Sequence, residues 1–248
     1  MDEREMNIIG VDCATQDKNV GVACGRLVGR QLEVLDVFVG DRPGSIVDYL
    51  MKLCDHETPT LLALDAPLGW PAALGPALVG HAAGRHIAAG PNTLFRRRTD
   101  AHIKEKLDRQ PLDVGADRIA RTAHTALRML NELAVRLSTR IPLAWDARVS
   151  GIAAIEVYPA ATLAAYGIPA RSYKEPEAKS ARRAIVDSFD KLFAIRCSIE
   201  RLLQDADALD AVVCVLAGAD FLRGDADPPE DSTLARKEGW IWSRLRRE

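Results

Sequence analysis

Three times in this chain an apolar run of strand length delivers a carboxylate at or near its end. Asn7-Ile-Ile-Gly-Val-Asp-Cys-Ala-Thr15 carries Asp12, Thr60-Leu-Leu-Ala-Leu-Asp65 carries Asp65, and Gly151-Ile-Ala-Ala-Ile-Glu-Val-Tyr-Pro159 carries Glu156. Runs that are apolar at successive positions, and rich in β-branched residues, read as strands buried in a sheet. Taken singly, each acid is an ordinary turn or cap residue, because short polar side chains at element ends start turns. Together they constrain the fold more tightly. Parallel strands of one sheet bring their ends to one edge, so the acids are expected to converge.

The segments between these runs supply the rest of an α/β architecture. Residues 19–25 read as the return strand of a hairpin, and Gln31–Phe38 alternates as a third strand. Pro43-Gly-Ser opens a helix with Ile46, Val47, Leu50, Leu53 and Cys54 at helical spacing. Residues 67–114 are broken by Gly69, Pro71, Gly75, Pro76, Gly80, Gly84, Gly90, Pro91 and Pro111, and read as a loop-rich insertion after the fourth strand. Ile119, Ala123, Ala126, Leu130, Leu133 and Leu137 then mark an amphipathic helix over about residues 115–140. Helices are expected over 175–193 and 205–222. A C-terminal extension, 223–248, ends in Gly239-Trp-Ile-Trp242, an edge strand or packing latch. With no internal repeat and no linker, residues 1–248 read as one α/β domain with a mixed sheet flanked by helices.

Composition narrows the functional classes. A formal net charge of −2 gives no whole-molecule attraction to nucleic acid or to anionic lipid, so any such contact must come from a local patch. No apolar run reaches membrane-spanning length. The charged opening Met1-Asp-Glu-Arg-Glu5 is expected to lead straight into the first strand rather than act as a signal peptide. Cysteines 13, 24, 54, 197 and 214 form no Cys-x-x-Cys pair and read as reduced thiols of a cytoplasmic protein, without structural zinc.

Asp207 and Asp210 share one face of the 205–222 helix, which is otherwise apolar nearly all round. Burying a carboxylate costs several kcal/mol unless it is paired or metal-bound, and no Arg or Lys lies adjacent in sequence. Asp12, Asp65, Glu156, Asp207 and Asp210 therefore read as a joint site for a hard divalent cation, Mg²⁺ or Mn²⁺. Such a cluster suits two-metal phosphodiester hydrolysis. Arg96, Arg97 and Arg98, just beyond the Asp65 run, are candidate phosphate contacts, a solvated loop, or an internal counter-charge to the acids. Lys174 is a further candidate anion contact, and His81, His86 and His102 are candidate proton donors.

The order hairpin with a terminal Asp, third strand, helix, second acidic strand end and final acidic helix is similar to the ribonuclease H-like fold. More closely, Ile9-Gly-Val-Asp-Cys-Ala14, Ala63-Leu-Asp-Ala-Pro-Leu-Gly-Trp-Pro71, Phe95-Arg-Arg-Arg-Thr-Asp100, Ile155-Glu-Val-Tyr-Pro-Ala160 and Asp207-Ala-Leu-Asp-Ala-Val-Val213 resemble domain-of-unknown-function family 429. That family comprises predicted nucleases of the ribonuclease H-like superfamily, and the resemblance spans roughly residues 7–222. It implies that Asp12, Asp65 and Asp210 are metal-binding acids, with Asp207 as a fourth ligand and Glu156 in a family motif. The implied function is a metal-dependent nuclease or phosphodiesterase acting on nucleic acid or a small phosphodiester. Two competing readings are an actin-like nucleotide-dependent phosphotransferase, which requires two such cores, and a non-catalytic binding module.

Overall fold

Asp12 and Asp65 are direct neighbours in a sheet. In a computed structural model, which describes residues 4–41, 43–54, 57–115 and 117–244, β1 (Glu5–Asp12) runs parallel to β4 (Thr60–Asp65) with Asp12 opposite Asp65. Met1, Asp2 and Glu3 of the charged opening, and 245–248 of the C-terminal extension, lie outside the described residues. On its other side β1 pairs antiparallel with β2 (Gly21–Val28), which pairs antiparallel with β3 (Gln31–Val39). After α1 (Ile46–Leu53) and β4 come α2 (Leu74–Leu78), α3 (Pro91–Phe95), α4 (Arg98–Leu107) and α5 (Asp117–Arg136). Next are β5 (Ile152–Glu156), α6 (Pro159–Ala165), α7 (Lys179–Phe189), β6 (Ala194–Ile195), α8 (Ile199–Gln204), α9 (Ala206–Leu222) and α10 (Ser232–Glu238). The mixed six-stranded sheet has the order β5-β4-β1-β2-β3-β6, with β5 parallel to β4 and β6 parallel to β3.

The central runs are apolar throughout because both faces of the sheet are covered. Ile8, Ala23, Leu61 and Ala63 point to one core with α7 and α9; Ile9, Val11, Leu62 and Leu64 point to the other with α1 and α5. The backbone of α9 lies in close contact with the hairpin. A Cβ at Gly10 would lie 2.1 Å from the Ala211 carbonyl oxygen, and one at Gly21 would lie 2.0 Å from the Asp207 carbonyl oxygen. Only a residue without a side chain lets the two backbones approach this closely. The Asp205 side chain caps α9 by accepting from the Asp207 and Ala208 N–H groups, so Asp207 stands in the first turn.

The insertion over residues 67–114 is more ordered than its glycines and prolines predict. The basic run opens α4, whose Ile103 and Leu107 pack with Ala161, Ala164, Ala165 and Ile241. That apolar face is completed by α6 and by the far end of the chain, partners that local periodicity does not reveal. Gly239–Trp242 is a latch within the chain: Ile241 bridges to Glu156, and the Trp242 N–H donates to the Glu156 carbonyl at 2.9 Å. With residues 142–144 paired to Ala154 in the middle of β5, this covers an edge strand that would otherwise present open backbone groups. The five cysteines are unpaired, and no helix among the described residues is long and apolar enough to cross a membrane.

Gly10→Ala should lower stability by about 1–3 kcal/mol, the cost of overpacking a rigid contact. Chemical denaturation should show a lower midpoint with an unchanged m-value. A wild-type midpoint would show that α9 can move off the strand.

Candidate metal centre

The ends of β1 and β4 and the first turns of α9 bring Asp12, Asp65 and Asp210 together. One carboxylate oxygen from each lies within 4.8 Å of the other two. Asp210 is fully buried, and Asp12 and Asp65 open toward a cleft. Burial, followed by the charges of Asp210 and Asp65, holds the Asp12 carboxyl well above the ordinary range. Burial and Asp210 push Asp65 up to about 7. Burial also raises Asp210, against the opposing pull of Lys174 and Tyr173. Asp207 is raised by burial and by Asp205 and Asp210; it lies within hydrogen-bonding reach of Asp12, outside the three-acid group.

The chain supplies a cation that its linear sequence does not place near the acids. Lys174 Nζ lies 2.6 Å from Asp210 Oδ2, and the Tyr173 hydroxyl donates to Oδ1 at 2.6 Å. Both residues sit on the loop between α6 and α7, which Arg182 holds from below. That buried guanidinium donates to the carbonyls of Tyr173, Glu175, Pro176 and Leu203 at 2.6–2.9 Å. Sequence reasoning passed over Arg182, although it shares the buried helical face of Ile185, Val186 and Phe189. A basic residue on an otherwise apolar stripe was the available signal. Tyr173 carried no comparable mark.

Glu156 and Arg97 meet each other instead of joining the three acids. Arg97 is only 2% exposed; its two terminal nitrogens donate to Glu156 Oε2 and Oε1 at 2.8 and 2.7 Å. The same guanidinium reaches Asp100 at 2.8 and 3.2 Å, and Glu156 Oε2 also accepts from the Leu68 N–H. Arg97 is therefore the internal counter-charge to Glu156 rather than an open phosphate contact, and Glu156 lies outside the three-acid group. Arg96 turns to Asp113 at 3.1 Å and Arg98 to Glu230 at 3.3 Å. His81 is exposed and bonded to the Arg85 carbonyl, and His86 is exposed. His102 is buried 2.8 Å from Asp227, against Trp240. None of these histidines lines the cleft above the acids.

The residues fit a hard divalent cation. Three convergent carboxylates are the donor set that Mg²⁺ and Mn²⁺ prefer, and an ion with oxygen ligands at about 2.0–2.6 Å fits among atoms so spaced. Asp210 Oδ2 is close to Lys174 yet accepts no well-aligned hydrogen bond, leaving a buried oxygen short of a directional partner. A single lysine offsets one of three like charges; the rest of the repulsion is what a divalent ion relieves.

Against known proteins, the chain matches one family model, described as "Protein of unknown function (DUF429)", over residues 10–233. No curated protein and no solved structure matches it.

The raised Asp65 sets a pH dependence whose sign is fixed. Between its ordinary value of 3.8 and about 7, the folded state holds a proton that the unfolded state has released. Stability contributed by Asp65 is therefore greatest at the acidic end and is lost as pH rises through about 7. The metal-free protein should melt at a lower temperature at pH 8 than at about pH 5, and Asp65→Asn should flatten that slope. Separately, Arg97→Met should cost about 3–5 kcal/mol, because it strands two buried carboxylates. A loss below about 1 kcal/mol by denaturant titration would mean that the ion pair is not structural.

Proposed function

The chain belongs to the DUF429 family, and we propose that it is a metal-dependent phosphodiesterase or nuclease of ribonuclease H-like architecture. The observation that carries the reading is the group of three convergent carboxylates, one buried and two partly buried, donated by two parallel strands and a helix, with ligand atoms within 4.8 Å of one another. A sheet that needed acids only as caps would not gather them against their own repulsion. The strand sequence supports the architecture: a hairpin and third strand on one side of β1, two parallel strands on the other, and an acidic helix across the face.

In this reading Asp12, Asp65 and Asp210 hold Mg²⁺ or Mn²⁺. When bound, such ions lower the pKa of water and stabilise the charge developing on phosphoryl and leaving oxygens. The Tyr173 hydroxyl fixes Asp210 Oδ1, and Lys174 stands against Oδ2. Lys174, at the cleft wall, neutralises Asp210 and offers an ammonium to an anionic phosphate oxygen. Asp207 supports Asp12 from the first turn of α9. Glu156 and Arg97 act as a strut that ties β5 to the start of α4. The actin-like alternative needs a second core, and the described residues form one sheet.

Mg²⁺ or Mn²⁺ should raise the melting temperature; at a hundred times the dissociation constant the gain is about 2.7 kcal/mol. Asp12→Asn and Asp210→Asn should abolish that shift and reduce metal-dependent phosphodiester cleavage by about a hundredfold or more. Absence of any metal shift in the wild-type protein would sink the reading. A metal shift with no cleavage of single-stranded, duplex, branched or small diesters would leave a metal-binding module.

A further inference from the structure

The cleft above the acids has a size, a wall and a charge supply that bear on its substrate. It encloses about 710 Å³, within the roughly 300–1,000 Å³ of small-molecule sites. Asp12 and Asp65 line it, and the buried Asp210 groups with them. Its rim includes Leu112 from the end of the insertion, Ile119 from the first turn of α5, and the partly buried ring of Tyr158. Leu112 is 68% exposed, an unusual position for a large apolar side chain beside a charged site. A flat ring held between an aromatic face and aliphatic side chains would bury these groups, and nucleobases stack on such platforms.

The cations point the same way. Besides the buried Arg97, the basic residues lining the cleft are Arg118 and Lys174. A protein that follows a strand meets many phosphates, commonly about six to ten, each with a basic or polar partner. Of the basic run, Arg97 is buried against Glu156 and Asp100, Arg96 pairs with Asp113 and Arg98 with Glu230, and Lys174 in the cleft is itself 2.6 Å from Asp210. The formal charge of −2 offers no general substitute. Two cations serve one or two phosphates.

We infer that the cleft takes a compact phosphodiester of one or two nucleotide units, its ring between Tyr158 and Leu112 and its phosphate over the acids between Arg118 and Lys174. This rests on the metal-dependent hydrolase reading and names its substrate class. Linear and cyclic dinucleotides share the required chemistry.

The test compares a thymidine nitrophenyl phosphodiester, a linear dinucleotide and a cyclic dinucleotide with closed circular single-stranded and duplex DNA and RNA, each with Mn²⁺. Circles present no terminal unit that can enter the cleft. At least one small diester should be hydrolysed with kcat/KM about tenfold or more above the value per bond in the circles. Circles cut as well as, or better than, every small diester would overturn the inference and leave the hydrolase reading standing. No cleavage of any substrate would overturn both. Leu112→Ala and Tyr158→Ala should each raise KM for the thymidine ester by about threefold or more while keeping the Mn²⁺-induced melting shift, which reports an intact fold and centre. Unchanged KM in both variants would remove the ring platform from the proposal.

Discussion

The contact on which the site depends contains no side chain on the strand side. At Gly10 the backbone of β1 lies directly against the α9 carbonyl of Ala211, and at Gly21 the backbone of β2 lies against that of Asp207. This double approach sets the height of α9 above the sheet, and so how far Asp210 stands from Asp12. The parallel register of β1 and β4 sets the other separation by placing Asp12 opposite Asp65. A metal centre built on two strands and a seated helix is held by elements rather than by loops, which is what precise ligand placement requires.

Two groups of buried acids lie a short distance apart, and their electrostatics differ. Glu156 and Asp100 share a guanidinium whose forked donors satisfy both carboxylates, a closed arrangement with no call for an outside ion. Asp12, Asp65 and Asp210 share one ammonium from the chain; burial raises all three, and carboxylate repulsion adds to it at Asp12 and Asp65. The first group is architecture, linking β5 to α4 beside the latch that closes the sheet edge. The second keeps an unsatisfied demand for positive charge. That contrast, more than the number of acids, separates the centre from an ordinary ion-pair network.

The loop bearing Tyr173 and Lys174 connects the centre to the rest of the molecule. Arg182 holds that loop by its backbone, so the position of Lys174 is set by a residue of α7 on the opposite side of the chain turn. The cleft wall joins the end of the insertion and the start of α5 to the segment after β5.

Much was legible in the sequence because it was local. Continuous apolar runs marked β1, β4 and β5, helical spacing marked α1 and α5, a stretch apolar nearly all round marked α9, and the strand-end acids stood out by recurrence. Asp210 was conspicuous because a charge inside an apolar helix needs a partner. The short helices α4, α6 and α10 were not legible, since they pack against elements far away in the chain. The partners of the charges were equally hidden. Nothing in the order of residues says that Arg97 faces Glu156, 59 positions on, or that Lys174 reaches Asp210. By itself, the sequence determined which segments are buried and that acids gather at strand ends, because hydrophobic periodicity and desolvation cost are properties of the residues themselves. Only the tertiary structure decided which acids stay together and which are neutralised, because ion pairing depends on distances that packing alone sets.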